Sequence, residues 1–447
     1  MENRISVKDG ALVRGGEPVR FRGVSFGSWI NIENFMIGLS GVDHQIQDYF
    51  RAIFGEENRA RFFDSYWDSF ITEEDFKFIK GCGFNLIRLA FNYRYFEDGL
   101  HPFEYRDPGI KLLDRAVKLC KKYRIYFLLD FHALPGGQNT TPPADNLTGY
   151  PMVYMEKHYQ ERSVRLWQFL IDRYKSEEYL FGYDLMNEPI GNIGDINSFY
   201  RMLAKAVREV DPLRPMVIEE PAGNARSGDP DMDLARDLFD DANTVYSFHW
   251  YPLSGFSQYP GEYQGKYWDR AALAAQVESS RRYSREVNRP VLIGEFGNRN
   301  QQPKESLLAK LDDGLSIMEE LGWHWTMWSY KDLKVLGLLN PSPESAWRKF
   351  VEREDIQEKR RICDAARKEQ FDNYYIPLWG KNRENRLIFD YGYDDGVRGM
   401  RRIACWYELT ELAKYPLEEV LAMPEAWRFE NCVVNKEVLE VYKKYLP

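Results

Sequence analysis

Eight runs of apolar, β-branched or aromatic residues recur along this chain of 447 residues, and longer segments with helical spacing separate them. The runs are Val19–Phe26, Phe84–Ala90, Ile125–Phe131, Phe181–Met186, Pro215–Glu219, Val245–Trp250, Val291–Phe296 and Trp323–Ser329. Each has the length of a strand and gives way to polar or turn-forming residues. Between them, Gly109–Lys122, His158–Tyr174, Ile196–Val210, Arg270–Val287 and Pro303–Leu321 carry apolar residues at helical spacing. A further helix, Thr72–Lys80, opens on Thr72 with Asp75 three residues on, a capping-box variant with Asp in place of Glu. Strand–helix alternation repeated eight times predicts an α/β fold closed as a (β/α)8 barrel rather than an open sheet. The opening segment, Ile5–Arg20, reads as a hairpin turning at Lys8-Asp9-Gly10 and Gly15-Gly16, and is expected to plug the bottom of the barrel.

No linker cuts the chain, which reads as one barrel unit over residues 1–447 with two long insertions. Residues 29–68 follow the first strand and residues 341–404 follow the eighth, ahead of closing helices around Cys405–Ala413 and Lys436–Tyr445. The second insertion contains a charged helical stretch, ESAWRKFVEREDIQEKRRICDAARKE, which reads as a solvated helix face. Insertions after a strand's carboxyl end belong to the face where barrel enzymes keep their active sites. Two of them there predict a deep pocket, suited to short substrates or chain ends.

Composition narrows the partners. A net charge of −9 argues against nucleic acid or an anionic membrane as partner. No run approaches the ~18 apolar residues of a membrane span, and the start, MENRISVKDGALVRGG, does not resemble a secretory signal. Five cysteines are scattered and odd in number, which fits reduced thiols and leads us to expect a cytoplasmic location. Twelve Trp and 29 Tyr suit both a core and a sugar-binding cleft.

The polar residues at the predicted strand ends carry the chemistry. The second strand offers Arg88, the third Asp130 and His132, the fourth Asn187 and Glu188, the sixth His249 and Tyr251, the seventh Glu295, and the eighth Trp328. Two carboxyls at one end of a barrel are the minimum for splitting a glycosidic bond without a metal, with ~5 Å between them if configuration is retained. Asn187 is placed to bind a sugar 2-hydroxyl, and Arg88 and Tyr251 to hold Glu295 ionised. His249 is suited to orient Tyr251 or the acid, while His132 and Trp328 suit a first sugar subsite. Taken singly, each has an ordinary structural reading: Arg88 as an ion-pair partner of Asp130 or Asp184, His249 as a core histidine. Glu219 and Glu220 read as helix-cap or loop ion pairs outside the catalytic set, Lys331 and Asp332 as rim charges, and Trp323 and Trp325 as core.

The ordered set resembles glycoside hydrolase family 5, among the retaining (β/α)8 hydrolases. FNLIRLAF, DFH, GYDLMNEP, FHWY, IGEFG and MWSYKD carry the resemblance, which covers Phe21 to about Tyr330. It implies Glu188 as general acid/base and Glu295 as nucleophile, with no cofactor and no metal. RGVSFGSWINIE and DFHALPGGQNT look like the exo-β-1,3-glucanase and glycosylceramidase branch. There, Trp29 and the Pro135–Asn139 loop, with Gln138 and Asn139, would help close a glucose site. The expected substrate is a β-glucoside or a short β-glucan, with a β-mannoside or a glycolipid as alternatives. A metal-dependent barrel hydrolase would need clustered ligands such as HxH, which the six histidines do not supply. A sugar-binding pseudoenzyme is the rival from outside catalysis, and the presence of both glutamates argues against it.

Overall fold

A computed structural model describes residues 4–146, 148–222, 234–252, 258–263, 265–297, 303–370 and 401–447. Eight parallel strands close into a barrel: β1 (Arg22–Ser25), β2 (Leu86–Asn92), β3 (Tyr126–Ala133), β4 (Leu180–Asp184), β5 (Met216–Glu219), β6 (Thr244–Trp250), β7 (Val291–Phe296) and β8 (His324–Met327). Each overlaps one of the eight predicted runs; β2 and β3 continue two residues past theirs, and β4 and β6 begin one residue earlier. Helices Glu73–Cys82, Gly109–Tyr123, Lys157–Tyr174, Ile193–Val210 and Lys304–Glu320 stand between strands as their spacing predicts. Arg270–Val287, expected as one helix, is two, Arg270–Gln276 and Glu278–Val287. The first outer helix begins as its sequence dictates, with the Thr72 N–H donating to Asp75 Oδ2 at 2.6 Å.

The floor is apolar. Strands Ile5–Lys8 and Ala11–Arg14 form the predicted hairpin, and Ile5 and Leu12 pack against Phe21, Leu86, Leu128, Phe181, Val217, Val245 and Leu292. All of these are buried, so the hairpin is the plug that closes the amino end of the barrel.

The two insertions meet above β1 and β8. Helices Asn34–Ile37, Asp43–Phe54 and Glu56–Phe70 follow β1; helices Ala346–Val351 and Glu354–Gln370 and the helical residues 401–412 follow β8. Ser40 donates from N and Oγ to Glu408, Trp347 Nε1 donates to Ile37 O, and Arg360 joins Glu408 to Gly38 O. The charged stretch is therefore solvated only in its second half. In its first half Trp347, Phe350 and Val351 are buried. Residues 371–400 of that insertion lie outside the described residues. Lys331 and Asp332 are not rim charges. Lys331 is buried with Nζ on Asp75, Phe70 O and Trp427 O, and Asp332 accepts from the N–H groups of Val335 and Leu336. Lys331 holds the post-β8 loop to the first outer helix, and Asp332 fixes the turn of that loop.

Among the described residues no helix is long and apolar enough to cross a membrane, and all five cysteines are free.

Candidate active site

Arg88 organises the carboxyl end of the barrel. It is fully buried on β2, a position tenable only if its charge is matched. Nε donates to Asp184 Oδ2 at 2.9 Å, Nη1 to Glu295 Oε1 at 2.8 Å, and Nη2 to Asn187 Oδ1 at 2.8 Å and Glu219 Oε1 at 2.9 Å. Asp130 Oδ2 lies 3.1 Å from Nη2. One guanidinium thus ties β2, β3, β4, β5 and β7 into a single rim.

A bulge aims Glu295. Ile293 pairs with Phe248 and Glu295 with His249, so Gly294 is an extra residue on β7. A Cβ on Gly294 would stand 3.0 Å from His249 Nε2 and 3.1 Å from Ser247 Oγ, so that slot admits only glycine without displacing the histidine. Glu295 Oε1 accepts from Arg88, and Oε2 from the Tyr251 hydroxyl at 2.7 Å.

Glu188 follows β4 with φ at +45°, in the left-handed region that a glutamate seldom occupies. Two buried side chains hold it there. Glu219 Oε2 accepts its N–H at 2.8 Å, and Asn139 Nδ2 donates to its carbonyl at 2.9 Å. The Glu188 side chain is a quarter exposed, against 7% for Glu295.

His249 lies between the carboxylates. Nδ1 is 2.8 Å from Glu188 Oε1 and 3.4 Å from Glu295 Oε2, and Nε2 is 3.1 Å from Glu219 Oε1. Burial alone would strip its second proton, but the charges of Glu219 and Glu295 outweigh burial and raise its pKa well above the usual value. Burial also pushes Glu188 up, yet the hydrogen bond and charge of His249 bring it below the ordinary carboxylate range. Glu295 ends above that range because burial outweighs the pull of His249 and Arg88.

His132 and Trp328 form one wall, their rings parallel within 4° and 5.1 Å apart. His132 Nδ1 is 2.7 Å from Asp130 Oδ2, and its pKa is driven up to about 10 because Asp130 overcomes the effect of burial. Beside it Glu33 is buried, its Oε1 3.5 Å from His132 Nε2 and without a hydrogen bond. Burial, only partly offset by His132, pushes the Glu33 carboxyl up to about 7.

The structure thus brings Arg88, His132, Asn187, Glu188, His249, Tyr251, Glu295 and Trp328 together. It does not bring Trp29 there: the indole is buried in the core, edge-on to Phe26, with Nε1 donating to Trp67 O. Gln138 and Asn139 serve the site from behind. Gln138 Nε2 donates to the carbonyls of His132 and Asn187, and Asn139 holds Glu188. Glu219, set aside as a loop or cap ion pair, is buried at the centre of the cluster. Its position at a strand's carboxyl end was the signal available in the sequence. Glu220 points away to Ser280. Glu33 carried a weaker signal, an acid following the apolar run WINI.

Ligand atoms of Glu188, His249 and Glu295 all lie within 4.8 Å of one another. One carboxylate oxygen of each glutamate thus lies close to the other, the near approach that a retaining pair uses. Comparison with known proteins agrees. Residues 44–334 match the family model Cellulase (glycosyl hydrolase family 5).

The chain belongs to glycosyl hydrolase family 5.

A Beta-xylosidase of Phanerodontia chrysosporium is 31% identical to it, the match covering 94% of this chain and 93% of that one. Endoglucanase C of Acetivibrio thermocellus is 26% identical over 61% of this chain and 87% of its own. The crystal structure of an endogalactoceramidase superposes with a TM-score of 0.56 at 18% identity, covering 74% of this chain and 75% of that one, a likeness of fold. As a family 5 member the protein is a retaining β-glycoside hydrolase.

Proposed function

We propose that the protein removes a terminal sugar from β-glucosides or short β-glucan oligosaccharides, with Glu295 as nucleophile and Glu188 as general acid/base. Glu295 Oε attacks C1 while Glu188 gives a proton to the departing glycosidic oxygen, leaving a glycosyl ester on Glu295. Water then gives its proton to Glu188 and attacks C1, releasing the sugar with its β configuration. The observation that supports this is the placement of His249 Nδ1 2.8 Å from Glu188 Oε1 and 3.4 Å from Glu295 Oε2, a closeness that suits two carboxylates serving one anomeric carbon.

The division of roles follows from surroundings. Glu295 has a donor on each oxygen, Arg88 and Tyr251, which fixes an attacking carboxylate. Glu188 is the more exposed of the two, as a group must be that meets first a leaving group and then water. Asn187 has its Oδ1 bound by Arg88, and its Nδ2, 3.5 Å from His132 Nε2, carries two protons of which one serves a 2-hydroxyl. Trp328 and His132 supply a flat wall, and Glu33 Oε1, in an ion pair with His132 but outside hydrogen-bond geometry, an acceptor, for the ring and hydroxyls of the terminal sugar. The joined insertions, Ser40 and Gly38 against Glu408 and Arg360, support a closed end to the pocket and hence attack on chain ends.

A β-xyloside is the second reading, favoured by the 31% identical relative named Beta-xylosidase, which matches nearly the whole chain. Aryl β-glucoside and β-xyloside kinetics separate the two. The mechanism is tested with a 2-deoxy-2-fluoro glycoside bearing a good leaving group. An adduct of one sugar on the peptide containing Glu295, and a β-anomer as the first product by proton NMR, are expected. An α-anomer as first product overturns the double displacement.

A further inference from the structure

We infer that Glu219, at the carboxyl end of β5, is a positioning residue for acid–base catalysis: it governs through His249 the proton that Glu188 uses, and fixes the backbone from which Glu188 is presented. The inference rests on the roles of Glu188 and Glu295 proposed above.

Three contacts of one buried carboxylate carry it. Glu219 Oε2 accepts the Glu188 N–H at 2.8 Å, at the residue held at φ +45°. Glu219 Oε1 accepts from Arg88 Nη2 at 2.9 Å and from His249 Nε2 at 3.1 Å. A plain counterion for Arg88 would need only one of these, and Asp184 and Asp130 already face that guanidinium. The other two contacts lead to Glu188, one along the backbone and one through the imidazole. Glu219 is thus linked to Glu188 twice without facing the reacting carbon.

The link through His249 sets a proton path. With Nε2–H directed at Glu219, the imidazolium keeps a second proton on Nδ1, 2.8 Å from Glu188 Oε1. As the leaving oxygen departs, Glu188 takes that proton from Nδ1 and passes it to the oxygen. His249 becomes a neutral imidazole still donating from Nε2 to Glu219. When water attacks in the second half, its proton enters Glu188 and the reverse transfer recharges Nδ1. No proton is gained or lost over the cycle.

Glu219 is where the charge for this arrangement resides. Although buried, its carboxyl is drawn down to about 2, because the charges of His249 and Arg88 outweigh burial. The other charged or titratable groups facing the Glu219–His249–Glu188 line are Glu33 from the segment after β1, Arg88 from β2, Asp130 and His132 from β3, Asp184 from β4, Tyr251 from the end of β6 and Glu295 from β7. Tyr200, from helix Ile193–Val210, meets the Glu219 backbone, donating to its carbonyl and accepting its N–H. Removing the Glu219 charge lowers the proton affinity of His249, so the His249–Glu188 unit empties at lower pH. The basic limb of the kcat/KM profile, where the catalytic proton is lost, must then move to lower pH, by about one unit or more.

Glu219→Gln keeps the side chain's size and an acceptor for the Glu188 N–H while deleting the charge. For a disaccharide or alkyl glycoside, whose leaving group needs the proton, kcat/KM near neutral pH should fall about 100-fold, whereas a dinitrophenyl glycoside should lose less than about fivefold. Glu219→Asp restores the charge and should return the basic limb to its wild-type position even where kcat stays reduced. An unmoved basic limb in Glu219→Gln, equal losses on both substrates, or no return of the limb in Glu219→Asp overturns the inference. Should neither variant fold, nitrogen-15 NMR of histidine-labelled wild-type enzyme decides. Protons on both nitrogens of His249 near pH 7 support it, and a neutral ring overturns it. The fluoroglycoside adduct at Glu295 keeps the two questions apart. An adduct with an unmoved limb sinks the role of Glu219 alone, while no adduct sinks the underlying mechanism.

Discussion

The two ends of the barrel are built from the same strands and obey opposite rules. At the amino end Leu86, Leu128, Val217, Val245 and Leu292 face the hairpin residues Ile5 and Leu12, with Phe21 set edge-on against Phe181. Two residues further along, on the same inward side, stand Arg88, Asp130, Glu219 and Ser247, with His249 one step higher. That step spans roughly 7 Å of strand, and across it the interior changes from hydrocarbon to a network of buried charge. The floor is held by burial of apolar area, insensitive to which proton sits where. The rim is held by matched charges, so removal of any one upsets the balance of buried charge among the rest. Stability therefore resides below and chemistry above, and substitutions at the two ends should fail in different ways.

The sharpest contrast comes from Glu295. Glu295→Ala removes the attacking carboxylate and should lower kcat by at least about 10⁴-fold. A steady-state assay on any aryl β-glycoside reads this, and near-wild-type turnover would exclude Glu295 as nucleophile. The fold should persist, since the apolar floor is built without this residue. Next comes Glu188→Ala. Substrates with poor leaving groups should lose about 10²–10⁴-fold, while dinitrophenyl glycosides lose far less and regain rate with azide. Equal losses on both classes, with no azide rescue, would mean that Glu188 is not the acid/base.

The same contrast explains what the sequence made legible. Strands announced themselves because a barrel strand is buried on both faces, and a run such as Ile125–Phe131, apolar but for Asp130, reads readily as one. Catalytic side chains were legible where they end such runs in a recognisable order, as in NEP or FHWY. What stayed hidden depended on side-chain direction. Trp29 lies within a motif, but its indole turns inward to Trp67 O. Gln138 and Asn139 reach backbone carbonyls, a contact that spacing cannot foretell. Glu219 and Glu220 were one ambiguous pair in the sequence. In the barrel the period of two sends Glu219 inward to Arg88 and Glu220 outward to Ser280. Lys331 looked like a rim charge because its partners, Asp75, Phe70 and Trp427, are remote in the chain.

Two further measurements test the division at intermediate size. The pH dependence of kcat/KM should have an acid limb above the ordinary glutamate value of about 4.3. Burial raises the Glu295 carboxyl despite His249 and Arg88, so on acidification the nucleophile takes up a proton earlier than a solvated glutamate would. Activity is lost as pH falls through that raised value, and a limb at or below the ordinary one would contradict it. At the floor, Phe181→Ala empties a fully buried ring site packed on Phe21. It should cost about 3–5 kcal/mol in stability, measured by denaturant unfolding, while kcat/KM per folded molecule stays at the wild-type value. A large loss of kcat/KM at full folding would show that the floor and the rim are not separable.

The smallest effect expected is none at all, and it follows from how the rim is filled. Glu188, His249 and Glu295 stand close enough to suggest a cation site, yet their atoms are already committed. Arg88 and Tyr251 each donate to an oxygen of Glu295, and His249 turns a ring nitrogen to Glu188 and the other to Glu219. A histidine whose pKa lies well above its usual value offers protons, not lone pairs, and the positive charge of Arg88 opposes a divalent ion beside it. Prolonged incubation with EDTA should therefore leave kcat/KM unchanged, and added zinc should not raise it. Loss of activity on chelation, restored by a metal, would mean that these three residues act as ligands and that the hydrogen-bonded rim is not the working state of the site.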